Sequence, residues 1–228
     1  MCFRKRIMLQ QLYVLPILLF SVILHEIAHG WMALRCGDPT AKEMGRLTLN
    51  PIPHIDLFGS IIIPLASLAS TGSVFIAWAK PVPVNPGNFR HFRRDEILVS
   101  AVGPLTNIVI AILSAFATAA FASVYAALPR GSHAEEAVVS FLVQMFYAGI
   151  YLNIFLAVFN LIPIPPLDGS HVLASLLPEK LGAIYHRVGM AGILLVIVAM
   201  QVPAVYSLVV HVVRALASPL EQIVRLSL

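Results

Sequence analysis

Of the 228 residues, 59% are hydrophobic and only 11% are charged, and the mean hydropathy is +0.87. A soluble globular domain carries about 25% charged residues, so the composition excludes one and describes a polytopic membrane protein. The formal net charge of +4 comes with no dense basic patch interleaved with aromatics, which excludes nucleic acid as a partner and leaves anionic lipid at the loops.

In chain order, the first apolar segment covers residues 12–34. With Met1–Arg6 before it, this start imitates a signal peptide. The run is longer than an ordinary h-region and no small-x-small cleavage site follows, so it is expected to stay as a membrane segment. A polar stretch, 35–56, carries turn signals at Gly37-Asp38-Pro39 and Asn50-Pro51. The second segment, 57–79, is interrupted by Pro64 and by residues 70–73, which predicts a short, broken or re-entrant helix. Residues 80–86, Lys-Pro-Val-Pro-Val-Asn-Pro, hold three prolines and are expected to be extended. A charged loop at 90–96 precedes a long segment, 97–128, and a polar link, 129–136. The fourth segment, 137–162, stops at Pro163-Ile164-Pro165-Pro166. A short helix at 170–177 is broken by Pro178. A fifth segment at 181–202 and a last one at 204–216 flank Pro203.

The predicted fold is therefore an all-α polytopic membrane protein of five or six transmembrane helices, with a short extended or re-entrant element near the site. No polar stretch is large enough for a soluble domain, so residues 1–228 read as one membrane-embedded domain. Arg4-Lys5-Arg6 favours a cytoplasmic N-terminus. The basic loops after the first and second segments share that side only if the second segment re-enters, so orientation stays open.

Within the first segment stands His25-Glu26-Ile27-Ala28-His29. Two imidazoles at i and i+4 share one helix face and can bind one zinc, with Glu26 between them placed to activate a water. A chance H-E-x-x-H arises in about one chain in a hundred of this composition. Ionisable groups at membrane depth are expensive and mark function. A hydrolytic zinc site needs a third protein ligand. Of the four Asp, Asp38, Asp56 and Asp95 lie in loops that read as solvated, whereas Asp168 follows the proline-rich break at the end of an apolar segment. Irregular backbone at that depth is tolerated where it is buried in protein or lines a wet cavity. The bland reading of Asp168 is a helix N-cap. Cys2 and Cys36 form no disulfide framework and no C-x-x-C, and read as free thiols. His54, His91, His133, His186 and His211 read as loop or interfacial residues, His171 as a residue at a helix N-terminus, and Trp78 as an interface anchor. Gly103 reads as a site of close helix packing.

H-E-x-x-H in an early membrane segment plus Leu167-Asp168-Gly169 after a proline-rich break resembles the site-2 protease family of intramembrane zinc metalloproteases. Phe58-Gly59-Ser60, Trp78 to Pro86, Gly103-Pro104-Leu105-Thr106-Asn107 and Phe159-Asn160-Leu161-Ile162-Pro163 resemble its compact prokaryotic members, without PDZ or CBS domains. The resemblance implies one zinc per chain held by His25, His29 and Asp168, and Glu26 as general base toward a zinc-activated water. Asn160 and Asn107 match family residues near the site. The substrates implied are transmembrane segments of other proteins, cleaved in the cell membrane of a prokaryote. Such a segment must unwind to be cut. The extended piece could pair with it by strand addition, with Val82 and Val84 as donors because Pro81 and Pro83 have no N–H. The competing readings are a zinc-binding membrane transporter, which also places His and Asp at membrane depth, and a non-catalytic scaffold for membrane segments. No internal repeat supports the transporter, and it gives Glu26 no necessary role.

Overall fold

The computed structural model describes residues 13–62, 66, 79–129 and 133–226. Among them every regular element is helical. The α-helices are α1 (Val14–Cys36), α2 (Thr40–Glu43), α3 (Phe92–Ala127), α4 (His133–Asn160), α5 (Asp168–Leu176), α6 (Glu179–Val188), α7 (Gly192–Gln201) and α8 (Pro203–Arg225). Four of these, α1, α3, α4 and α8, are long and apolar enough to cross a membrane; α7 is a shorter apolar helix. The expectation of five or six spans had included residues 57–79 and 181–202. Most of the former, Trp78 included, lies outside the described residues; its start, Leu57–Ile62, is a π-helical turn. The Asp56 carboxylate closes that turn by accepting the Gly59 N–H at 2.7 Å.

Four expected boundaries move, three of them for a visible local reason. Residues 92–96 are not loop but the first turns of α3, where the Asp95 carboxylate accepts the His91 N–H at 2.8 Å and caps the chain entry. The link at 129–136 shortens because α4 begins at His133, with Glu135 and Glu136 in its first turn facing the positive end of the helix dipole. The segment expected at 181–202 divides into α6 and α7 at Gly189, whose φ of +45° no continuing helix allows. The last helix runs nine residues past its expected end at 216, to Arg225.

Contacts divide the chain into two compact units, one of residues 22–103 and one of residues 1–21 with 104–228. In the first, Ala33, Cys36 and Val99 form the apolar centre, with Met32, Val84 and Phe89 packed on it. In the second, α3, α4 and α8 build two apolar layers. Ala111, Ile154, Val209 and Val213 make one, and Ala115, Ile150, Ala217 and Val224 the other. Small residues let helices approach closely in lipid, where packing rather than hydrophobicity holds them.

Candidate metal centre

The unit of residues 22–103 holds the two histidines. One helical turn of α1 separates them, so their rings meet edge to face with centroids 4.6 Å apart. Both are buried, and their Nε2 atoms lie 3.0 Å apart. The His29 Nδ1 lies 2.6 Å from the Val99 carbonyl. A carbonyl only accepts, so Nδ1 carries the proton and Nε2 presents its lone pair. An orienting partner on the distal nitrogen is what fixes a metal-binding imidazole. Two nitrogens at about 2.05 Å from a tetrahedral zinc lie roughly 3.3 Å apart, close to the spacing seen. The pair therefore fits a shared cation.

Gly103 clears the face of this pair. A Cβ there would stand 2.3 Å from His29 Nε2 and 2.7 Å from His25 Cε1. Its reading as a packing glycine is right in kind, but what it packs against is the imidazole pair. Spacing alone could not show this, because Gly103 is 74 residues from His29 in sequence.

Glu26 is half-buried, and its Oε2 accepts the Val82 N–H at 2.7 Å. This corrects one expectation: Val82 was to offer its N–H to a substrate strand, and here that donor engages Glu26 while its side chain is buried. The stretch 79–85 forms no helix, in keeping with Pro81 and Pro83, is extended at Asn85, and runs into a 3-10 turn at Pro86–Asn88, which takes Pro86 out of the expected extended piece. It is held as a strap from several sides. Buried Arg46 donates from Nη2 to the Lys80 and Pro81 carbonyls, at 2.8 and 3.2 Å. The His54 carbonyl accepts the Lys80 N–H at 2.9 Å, and the His54 ring donates to the Thr48 carbonyl at 2.9 Å. The Asp38 carboxylate accepts the Asn85 N–H at 2.7 Å and the Asn88 side-chain amide at 2.8 Å.

Asp38 and Asp95 were expected in solvated loops and His54 at a loop or interface; all three are buried. Burial works against the Asp38 charge. The hydrogen bonds from Thr40, Asn85 and Asn88 outweigh it and hold the carboxyl below its ordinary value of 3.8.

Val84 packs on the apolar centre of this same unit, and the remaining predicted residues lie in the unit of residues 1–21 and 104–228. Asp168 is half-buried and opens α5, after a loop in which the Pro165–Pro166 bond is cis. Gly169 fixes that entry, since a Cβ there would come 2.2 Å from the Leu161 carbonyl oxygen. Asn107 is fully buried and donates to Asn153 at 2.9 Å, while Asn153 donates to the Gly149 carbonyl at 2.9 Å. Asn160 donates to the Leu156 carbonyl of its own helix at 3.0 Å.

Fold and site define a helical membrane protein with a preorganised histidine pair and the Glu26 carboxylate on the same helix. Residues 13–204 match the family profile described as Peptidase family M50. The match covers most of the chain, and the chain belongs to that family, the site-2 proteases. YwhC of Bacillus subtilis (strain 168), whose name proposes a zinc metalloprotease, is 38% identical over 171 residues, 75% of this chain and 72% of its own length. Rip2 of Mycolicibacterium smegmatis, named in the same way, is 30% identical over 196 residues, 82% of this chain and 65% of its own length. Rip2 of Mycobacterium tuberculosis (strain H37Rv) is 33% identical over 156 residues, 68% of this chain and 53% of its own length. No solved structure matches significantly.

Proposed function

We propose that residues 1–228 form one membrane-embedded zinc metalloprotease domain that hydrolyses peptide bonds within or near transmembrane segments of other membrane proteins. The observation that carries the reading is the histidine pair, with Nε2 atoms 3.0 Å apart and the His29 tautomer set by Val99. His25 and His29 would hold one zinc with Asp168 as the third ligand. The donor set of two neutral imidazoles and one carboxylate is a hydrolytic one, leaving a coordination position for water or substrate. When bound, zinc supplies a Lewis acid for the scissile carbonyl and lowers the pKa of a water toward 7. Glu26 takes the proton of the attacking water and passes it to the leaving amine. The Val82 N–H fixes Oε2 of that carboxylate, which supports a defined approach for the base.

A helical substrate shields its peptide bonds and must unwind locally. The strap at 79–85 would receive the unwound strand, with Val84 as the donor, since the Val82 N–H is engaged by Glu26. Asn107 and Asn160 would shape the site from their helices.

Glu26→Gln tests the assignment because it keeps shape and most hydrogen bonding but removes the base. It should retain zinc and lose cleavage of a transmembrane-segment substrate in detergent by at least about a hundredfold. Undiminished cleavage would remove Glu26 from the mechanism. Zinc flux into proteoliposomes that depends on His25 would favour the transporter.

A further inference from the structure

We propose that the cleft between the end of α1 and the start of α3 binds the phosphate headgroup of an anionic phospholipid. The cleft measures about 300 Å³. Three arginines line it, Arg35, Arg90 and Arg94, and its walls also include the apolar side chains of Met32 and Leu98. No ion pair joins these arginines to a carboxylate among the described residues. The nearest acid, Asp95, is buried and engaged by the His91 N–H. Three cations against one carboxylate leave the cleft with a surplus positive charge of two.

Local structure builds this arrangement. The Arg90 N–H donates to the Cys36 carbonyl at 3.1 Å, tying the two walls together. Gly37, at φ +111°, lets the chain turn under Arg90; a Cβ there would come 3.2 Å from Arg90 Cγ. Arg35 lies over the Trp31 ring, 3.9 Å from its centroid, which fixes the direction of its guanidinium.

The position in the fold selects a lipid over a free anion. α1 is 23 residues long and apolar enough to cross a membrane, and the cleft sits at its C-terminal end. Trp31 in that last part of the helix is 45% exposed, as residues of the aromatic belt are. Leu98, the seventh residue of α3, is also exposed and gives an acyl chain an apolar surface in the wall of the cleft. A basic pocket of this kind at a helix end is suited to phosphate headgroups, each arginine adding about 1 kcal/mol near an anionic surface.

The test uses the full chain in a neutral detergent, titrated separately with phosphatidylglycerol, phosphatidylcholine and inorganic phosphate. Retained lipid is read by native mass spectrometry and stability by thermal unfolding. Phosphatidylglycerol should be retained and should raise the Tm; phosphatidylcholine and phosphate at the same concentration should do neither. Arg90→Gln with Arg94→Gln should weaken phosphatidylglycerol retention roughly thirtyfold. Arg214→Gln, which removes an exposed cation far along the sequence on α8, should leave retention unchanged. Should the double variant fail to fold, Arg94→Gln alone carries the prediction at roughly fivefold. Equal retention of the two lipids, unaltered retention in the variants, or a full effect from phosphate alone would each overturn the lipid site.

Discussion

The two units bury different kinds of polar group. Among the described residues, every buried ionisable side chain belongs to residues 22–103: His25, His29, Cys36, Asp38, Arg46, His54, Asp95 and Glu96. Among its described side chains, the polar groups that the other unit buries are Ser, Thr and Asn: Ser21, Asn107, Ser114, Thr118, Asn153, Ser170 and Ser175. A neutral amide or hydroxyl satisfies itself on a neighbouring helix or its own backbone, as Asn107 does with Asn153 and Thr118 with the Ser114 carbonyl. A buried charge needs several donors or acceptors arranged around it. The unit of residues 22–103 supplies them from loops, through the strap and its anchors. The other unit is a packed bundle in which Asp168 stands at a helix start. The comparison teaches that the polar investment is concentrated where the base and the histidines stand.

The sharpest way to break this contrast is to add one methyl group to each unit. Gly103→Ala drives a Cβ into His29 Nε2 at 2.3 Å, against a ring already fixed by Val99. It should cost about 3 kcal/mol of stability and reduce bound zinc to under about a tenth, because the ligand pair must part. Gly149→Ala in α4 meets the Ile17 and Ser114 side chains at 2.9 Å, and these can shift. It should cost about 1 kcal/mol with zinc retained. Thermal unfolding and metal analysis on both variants check the pair; equal zinc loss would mean that Gly103 has no special place.

Arg46→Gln comes next. It leaves the Lys80 and Pro81 carbonyls with a weaker donor and removes a buried charge. Stability should fall by roughly 2 kcal/mol, with backbone hydrogen exchange accelerating at Val82 and Asn85 and not in α4 or α8. Exchange that rises uniformly would contradict a local anchoring role.

These residues also show what the sequence could and could not tell. The histidine pair was legible because a helix places i and i+4 together whatever surrounds it. The strap was legible as non-helical backbone because Pro81 and Pro83 stand against a helix there, although Pro86 opens a 3-10 turn. Asp38, Arg46 and His54 were not, since each looks like an ordinary loop residue. What buries them is pairing across distance in sequence, Asp38 with Asn85 and Asn88, and Arg46 with Lys80 and Pro81. The charged residues 92–96 were read as loop for the same reason: charge density hid a helix start in which Asp95 and Glu96 face inward. The division of residues 181–202 escaped a hydropathy window, which sees apolarity but not the turn at Gly189.

A smaller effect concerns acid. The Asp38 carboxyl is held below its ordinary value of 3.8, so its folded form binds a proton less readily than the unfolded one. Its contribution is complete above that value and is lost as pH falls through the lowered one. Lowering the pH from 5 through this range should therefore release the Asn85 N–H to exchange before the bundle of α3, α4 and α8 opens. Asp38→Asn should abolish that acid step. An acid transition common to both units and unaffected by Asp38→Asn would show that the strap does not depend on this carboxylate.

The most direct test is metal content. Native protein, His25→Ala and Asp168→Ala should be purified from the membrane, washed with a mild chelator and analysed for zinc per chain. The account predicts a ratio near one for the native protein and near zero for both variants, with all three retaining the same helical content. Full zinc in both variants, or none in the native protein, would contradict it.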